Sequence, residues 1–187
     1  MRPVFVTSNA NKLREASGVL GMDLDRADVD VPEIQSLDFE EVATAKALAA
    51  REVLGDLAYP VIVDDSGLAV GAWGGFPGPL TRWLMKSVGN EGLLKMLAVE
   101  DDRSAMAVCV VAMADASGTV RIFRGVVEGE ISREPRGEGG FGFDPIFVPE
   151  GGTRTYAELG EEKSMDSHRT RALRKARNGL EGLIHDA

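Results

Sequence analysis

The segment Pro60-Val61-Ile62-Val63-Asp64-Asp65-Ser66-Gly67-Leu68 carries an apolar run straight into two adjacent carboxylates, a small hydroxyl and a glycine. The run predicts a buried strand that delivers both acids to its end. Two carboxylates are unfavourable there, because each loses hydration and repels its neighbour unless a cation or hydrogen-bond donors compensate. The segment admits two readings: a metal-assisted active site, or a strand that stops in a solvated Asp-Asp-Ser-Gly turn. If the strand continues through the pair, Asp64 and Asp65 face opposite sides and do different jobs.

The elements around this segment alternate. Val4, Phe5 and Val6 form a short apolar start, followed by the polar loop Thr7-Ser8-Asn9-Ala10-Asn11-Lys12. Leu13, Ala16, Val19 and Leu20 then recur at helical spacing up to Gly21, which predicts strand, loop, helix. A second strand is expected over residues 27–31, with Pro32-Glu33 after it. Asp38 and Glu41 have the form of a capping box for a helix over residues 39–54, stopped by Gly55. The breaker cluster Gly74-Gly75-Phe76-Pro77-Gly78-Pro79 predicts a loop, and two short helical patterns follow up to residue 99. Residues 106–113 and 119–123 read as a hairpin about the turn Asp115-Ala116-Ser117-Gly118, the first strand buried on both faces. A final helix begins at about residue 167 with Leu173, Ala176, Leu180 and Leu183 on one face. Early strand-helix alternation followed by a hairpin predicts an α/β fold with a mixed sheet.

The chain has 187 residues, 44% of them hydrophobic, which suits a single domain spanning residues 1–187. No charged-then-apolar leader appears and no apolar stretch approaches the roughly 20 residues that cross a bilayer, so a soluble, cytoplasmic protein without membrane contact is expected. The single cysteine, Cys109, lies in an apolar run and reads as a core residue. The formal net charge of -9 opposes a nucleic-acid surface, which needs clustered positive charge. A small anion such as a metal-chelated nucleotide is still allowed, since it needs only a few local cations and backbone N–H groups.

Several clusters could carry such chemistry. The loop from Thr7 to Lys12 places small polar residues and a cation at a helix N-terminus, where free N–H groups attract anions; ordinary capping by Asn9 or Asn11 explains the same residues. It lacks the Walker spacing. Lys46 sits inside the apolar stripe of its helix, so it either snorkels to the edge or points into a cleft. Glu33, just beyond a strand, can join Asp65 in supplying the one or two carboxylates that Mg²⁺ takes from protein. Phe141 and Phe143 flank Gly142 in a glycine-rich loop, a presentation that suits stacking on a base; one of the two is expected to pack inward. Ser167-His168-Arg169 opens the last helix with a capping hydroxyl and a cation, and Lys163 lies just upstream. His168 has no cysteine or second histidine at ligand spacing, which argues against zinc. Arg171, Arg174, Lys175 and Arg177 read as a solvated helix face.

Taken together, Ser8-Asn9-Ala10-Asn11-Lys12, Asp64-Asp65-Ser66-Gly67-Leu68, Phe76-Pro77-Gly78, Gly140-Phe141-Gly142-Phe143-Asp144-Pro145, Thr155-Tyr156-Ala157-Glu158 and Ser167-His168-Arg169 resemble the inosine triphosphate pyrophosphatase family. The likeness covers about residues 4–171, and it is the joint match that is specific. It implies an elongated α/β domain with a curved mixed sheet flanked by helices, two lobes about a substrate cleft, and a homodimer. It implies Mg²⁺-dependent hydrolysis of non-standard purine nucleoside triphosphates such as ITP, dITP and XTP to the monophosphate and pyrophosphate, with Mn²⁺ a second metal to consider.

By position in the family, Thr7, Ser8, Asn9, Ala10, Asn11, Lys12 and Lys46 would hold the triphosphate, and Glu33 and Asp65 the metal. Asp65 would also orient or deprotonate the attacking water. Ser66 and Lys86 would be further substrate contacts, and Phe141, Gly142, Phe143, Asp144, Lys163, His168 and Arg169 would grip the base. Ser8 stands where relatives have glycine, and Phe143 where others have Tyr or Trp. Two alternatives remain at this point: a Maf-type pyrophosphatase acting on other nucleotides, whose N-terminal loop signature is not matched here, and a non-catalytic nucleotide-binding sensor. A Nudix hydrolase is disfavoured, because its helix pattern of Arg-Glu and Glu-Glu pairs is missing.

Overall fold

A computed structural model of the protein describes residues 2–55, 57 and 59–185, with side chains to residue 180. β1 (Val4–Val6) leads through a polar loop into α1 (Ala10–Leu20), as the spacing predicts. Asn9 caps α1 by accepting the Asn11 N–H at 2.9 Å, and Gly21 ends it at φ 69°, a left-handed conformation that costs glycine little. β2 is Asp25–Ala27, earlier than expected, and Val29 and Val31 lie beyond it. Those two valines are partly buried against the core without joining a ladder, so their hydrophobicity reports packing, not pairing.

α2 (Phe39–Leu54) is the helix predicted, and Gly55 stops it. Its cap differs from a capping box. Asp38 accepts the N–H groups of Glu40 and Glu41, but the Glu41 carboxylate takes the Ser36 hydroxyl at 2.6 Å, and that hydroxyl takes the Asp38 N–H. α2 is followed by β3 (Val61–Val70), which does not stop at the acids. β5 (Ser104–Ala114) pairs with it along its whole length, Asp64 opposite Val111 and Asp65 opposite Val110, and this ladder holds both carboxylates in mid-strand.

β4 (Pro77–Gly78) pairs with the end of β3, and α3 (Thr81–Met96) follows, broken at Gly89 (φ 65°, ψ -170°) into the two helical pieces that the pattern predicts. β6 (Val120–Ile131) completes the hairpin with β5; both strands run longer than the apolar pattern indicates, and Met106 is 38% exposed despite the expectation of burial. β7 (Phe147–Pro149), α4 (Tyr156–Leu159) and α5 (His168–His185) finish the chain. Leu173, Ala176 and Leu180 are buried on α5, whereas the side chain of Leu183 lies outside the described residues.

The sheet has seven strands in the order β2-β1-β3-β5-β6-β7, with β4 on β3. β1 is parallel to both β2 and β3, and the other pairs are antiparallel, so the expected mixed α/β sheet is observed. Ile62, Cys109, Val111 and Met113 pack with α1 and α5 on one face, and Val61, Val63, Val108 and Val110 pack with α2 on the other. Leu68, Val70, Ala105 and Ala107 form a third cluster with Leu93, Phe143, Phe147 and Tyr156. Strand alternation puts Asp64 and Ser66 on the face shared by the first and third clusters, between them, and Asp65 on the α2 face.

α1 and α2 leave β1 and β2 on opposite faces of the sheet, so the strand order reverses at β1. Crevices at the carboxyl ends of such strands are the usual ligand position of open α/β sheets. Here those ends carry the Thr7–Lys12 loop, the Glu33 segment and, just past the last β1 pairing (Phe5 with Ile62), the acids Asp64 and Asp65.

Candidate active site

The α2 face of the site centres on Asp65. Burial pushes its carboxyl up to about 6; Lys46 and Lys12 oppose this, while the charges of Asp64 and Glu33 add to it. Its Oδ2 is buried without a hydrogen-bond partner. Such an oxygen is costly unless something binds it, which makes it the strongest local sign of a ligand position. Lys46 reaches from α2 to an acid: its Nζ donates to Glu33 Oε1 at 2.8 Å, and Arg82 lies 3.5 Å from Glu33 Oε2. Burial raises the Glu33 carboxyl, but the Lys46 hydrogen bond and the surrounding cations more than offset this and lower it overall.

Arg82 comes to Glu33 through a close backbone approach. Gly67 lies where any Cβ would strike the Gly78 carbonyl oxygen and Thr81 Oγ1, so glycine is needed for β4 to lie on β3. Thr81 then locks the start of α3: its Oγ1 accepts the Leu68 N–H at 2.7 Å and donates to the Gly78 carbonyl at 2.6 Å. The family resemblance points to Lys86 and not to Arg82. Lys86 is exposed with its Nζ 5.6 Å from the Trp83 ring centroid, and the structure does not pair it with either acid. The first basic residue after the Phe76-Pro77-Gly78-Pro79 loop, three positions beyond Pro79, is the available signal.

On the opposite face, Asp64 is 2% exposed. Its Oδ1 accepts from Lys12 Nζ at 3.0 Å and its Oδ2 from Arg169 Nε at 2.9 Å. Burial alone would raise this carboxyl, but the Lys12 and Arg169 charges hold it well below the usual carboxylate range. Its role is therefore support of two cations and not solvation. In the first loop Thr7 Oγ1 accepts the Asn9 N–H, and Arg26 of β2 takes the Thr7 and Ser8 carbonyls at 3.0 and 3.1 Å. With those carbonyls occupied and Asn9 capping α1, the stretch Thr7, Ser8, Asn9, Ala10, Asn11, Lys12 is held at a helix N-terminus beside both acids.

The glycine-rich loop and the start of α5 form the third part. Gly140 (φ 73°) is placed where a Cβ would meet the Asp144 carboxylate, which tucks beneath the loop and accepts the Phe141 N–H at 2.8 Å. Lys163 donates to both Asp144 oxygens at 2.8 and 2.7 Å in a buried pair, and its Nζ lies 5.0 Å from the centroids of Phe141 and Tyr156. Phe143 is the aromatic that packs inward, 6.1 Å from Phe147 and 5.8 Å from His168. His168 is buried, stacks on Tyr156 and leaves Nδ1 without a partner; burial and the Arg169 and Lys163 charges lower its basicity and keep the ring neutral. Phe141 and Gly142 stay at the loop tip, where Asn90 donates to the Gly142 carbonyl at 3.0 Å. Ser167 caps α5 as predicted, its Oγ accepting the Thr170 N–H.

A concavity of about 930 Å³ lies elsewhere, between β5, β6 and β7, lined by Asp102, Glu128, Glu130 and Glu150 among others. It contains none of the predicted site residues, and its acidic side chains outnumber its arginines, Arg103 and Arg133.

The chain matches the Ham1 family over residues 3–179. It belongs to that family. A protein of Methanopyrus kandleri named dITP/XTP pyrophosphatase is 46% identical over 179 residues, 94% of each chain. One of the same name from Thermococcus kodakarensis is 48% identical over 186 residues, covering 96% of this chain and 97% of its own. A Ham1 protein of Staphylococcus aureus has a solved structure with TM-score 0.82 at 34% identity, covering 97% of this chain and all of that one. The resemblance drawn from the motifs thus holds over nearly the full length, and the Ham1 fold accounts for the mixed seven-stranded sheet.

Proposed function

We propose that the protein hydrolyses non-standard purine nucleoside triphosphates, ITP, dITP and XTP, to the monophosphate and pyrophosphate. The observation that carries this reading is the buried, unpartnered Oδ2 of Asp65, within reach of the Lys46, Lys12 and Glu33 charges at the switch point of the sheet. The names of the Methanopyrus and Thermococcus relatives, and of a Tuber melanosporum relative called inosine triphosphate pyrophosphatase, 42% identical over 182 residues, support the substrate class. The sensor alternative is not favoured, since both acids are present at one site, and the Maf-type alternative is not favoured, since the relatives are named for dITP, XTP and inosine triphosphate.

Glu33 and Asp65 fit a hard divalent cation: both offer carboxylate oxygens, and one of these oxygens lacks any partner. Among the described residues no group of three His, Cys, Asp or Glu side chains forms, so water and phosphate oxygens would complete the coordination. Bound Mg²⁺, or Mn²⁺ on the same donors, would neutralise charge on the phosphates and act as a Lewis acid. Lys12, Lys46 and the amides at the start of α1 bind the triphosphate, and Asp65 orients the attacking water and takes its proton.

At the other end, Phe141 provides an aromatic platform above Lys163 and Arg169. Donors facing a 6-keto oxygen are left unpaired by the amino group of adenine, which costs about 1–3 kcal/mol for each buried group. Homodimer formation is part of the same reading; Leu37, Phe76 and Trp83, exposed by 65, 37 and 52%, provide apolar surface for it. Action on the cytoplasmic nucleotide pool is also part of it; no described helix is long and apolar enough to cross a membrane. Purified protein given Mg²⁺ and ITP is expected to release IMP and pyrophosphate. Release of IDP and orthophosphate overturns the reading.

A further inference from the structure

Asp64 neighbours the proposed metal ligand yet lies on the other face of β3, and no step above uses it. We infer that Asp64 is a positioning residue: with Arg169 and Glu15 it forms a buried strut that sets the spacing between the phosphate end of the site, at Lys12, and the base end, at Phe141. This rests on the nucleotide reading above. Each Asp64 oxygen serves one end, Oδ1 taking Lys12 from α1 and Oδ2 taking Arg169 from α5.

Arg169 is 1% exposed, so little of it is open to collect charge from a ligand. Its Nη1 donates to Glu15, one turn past Lys12 on α1, and its Nη2 to Ser66, both at 3.0 Å. Its Cζ lies 5.6 Å from the centroid of the Phe141 ring, which makes the guanidinium a support for the platform. One carboxylate thus ties α1, β3 and α5 together. A neutral side chain at position 64 would leave Lys12 without its counter-ion and Arg169 with Glu15 alone, and loss of one partner from a buried ion pair is costly. Asp64 also neutralises Lys12 before any phosphate arrives, so the strut weakens anion binding while it fixes where the nucleotide lies.

The test compares kcat/KM for ITP and ATP in the presence of Mg²⁺. In Asp64→Asn the ITP-over-ATP ratio is expected to fall about tenfold. Inorganic pyrophosphate should inhibit that variant at equal or lower concentration than wild type, because Lys12 is released. Asp64→Glu, which keeps the charge, should restore part of the ratio. Glu15→Gln leaves Asp64 and Lys12 in place and should lower the ratio about threefold with little change in thermal midpoint; it decides the matter where Asp64→Asn does not fold. A folded Asp64→Asn or Glu15→Gln protein that keeps the wild-type ratio overturns the strut. So does one that loses turnover on both nucleotides in equal proportion. Wild-type protein that releases no pyrophosphate from ITP overturns instead the nucleotide reading beneath it.

Discussion

Replacing Asp65 by asparagine should abolish turnover and, in metal-free protein, stabilise the fold. The carboxyl titrates near 6 in the folded state against an ordinary value of 3.8. Ionising it in place therefore withholds about 3 kcal/mol from the folded state at neutral pH, at about 1.4 kcal/mol for each pH unit between the two values. The sign follows from proton binding. Between about pH 4 and 6 the folded protein holds a proton that the unfolded chain has lost, so wild-type stability falls as pH rises through that window. Asparagine does not ionise, but its amide is itself buried, which reduces the net gain to about 1–2 kcal/mol.

For a chain of this length the gain corresponds to a rise in Tm of about 2–8 °C. Thermal unfolding followed by circular dichroism in EDTA, at steps from pH 4.5 to 7.5, reads it directly: the advantage of Asp65→Asn should grow with pH and level off above 6. Added Mg²⁺ should raise the wild-type midpoint and leave the variant unmoved. A variant less stable than wild type at pH 7.5 in EDTA, or an advantage independent of pH, refutes the reasoning.

Other expectations concern the frame of the site. Asp144→Asn leaves the Lys163 ammonium buried without its counter-ion, so a loss of about 3–5 kcal/mol is expected; an unchanged midpoint in urea unfolding would falsify this account of the pair. Thr81→Val removes the bridge between Leu68 and Gly78 and should cost about 1–3 kcal/mol by the same assay, with a loss within error counting against that bridge. Arg82→Ala should raise KM for ITP about threefold to tenfold through its place beside Glu33, while Lys86→Ala should change it by less than about twofold. Steady-state kinetics showing the reverse order would favour Lys86 over Arg82 as the substrate contact.

The parts of the fold legible in the sequence are those whose determinants are local. The run Val4-Phe5-Val6, the helical spacing after Asn9, the Asp38 cap and the stop at Gly55 each act within one or two turns, and all appear where expected. Lys46 was legible as an anomaly, a charge within an apolar stripe, although its partner Glu33 was not given by periodicity. The length of β3 was not legible, because polar residues at 64–66 resemble a turn until β5 pairs across them. The choice between Arg82 and Lys86 was hidden for a similar reason: it depends on how closely β4 approaches Gly67 and so on the direction in which α3 starts.

The sequence by itself determined the chemical inventory of this protein: adjacent acids after an apolar strand, a polar loop with Lys12, the aromatic glycine-rich loop, and through their joint order the family. Only the tertiary structure decided where each acid lies and what surrounds it. Alternation along β3 sends Asp65 to the α2 face, with Lys46 and Glu33 in its surroundings, and Asp64 to the face where α1 and α5 pack. The partners of Asp64 come from 52 and 105 residues away. Electrostatics falls off with distance in space and not along the chain, so two residues alike in type and adjacent in sequence acquire opposite shifts in proton affinity and separate surroundings once folded.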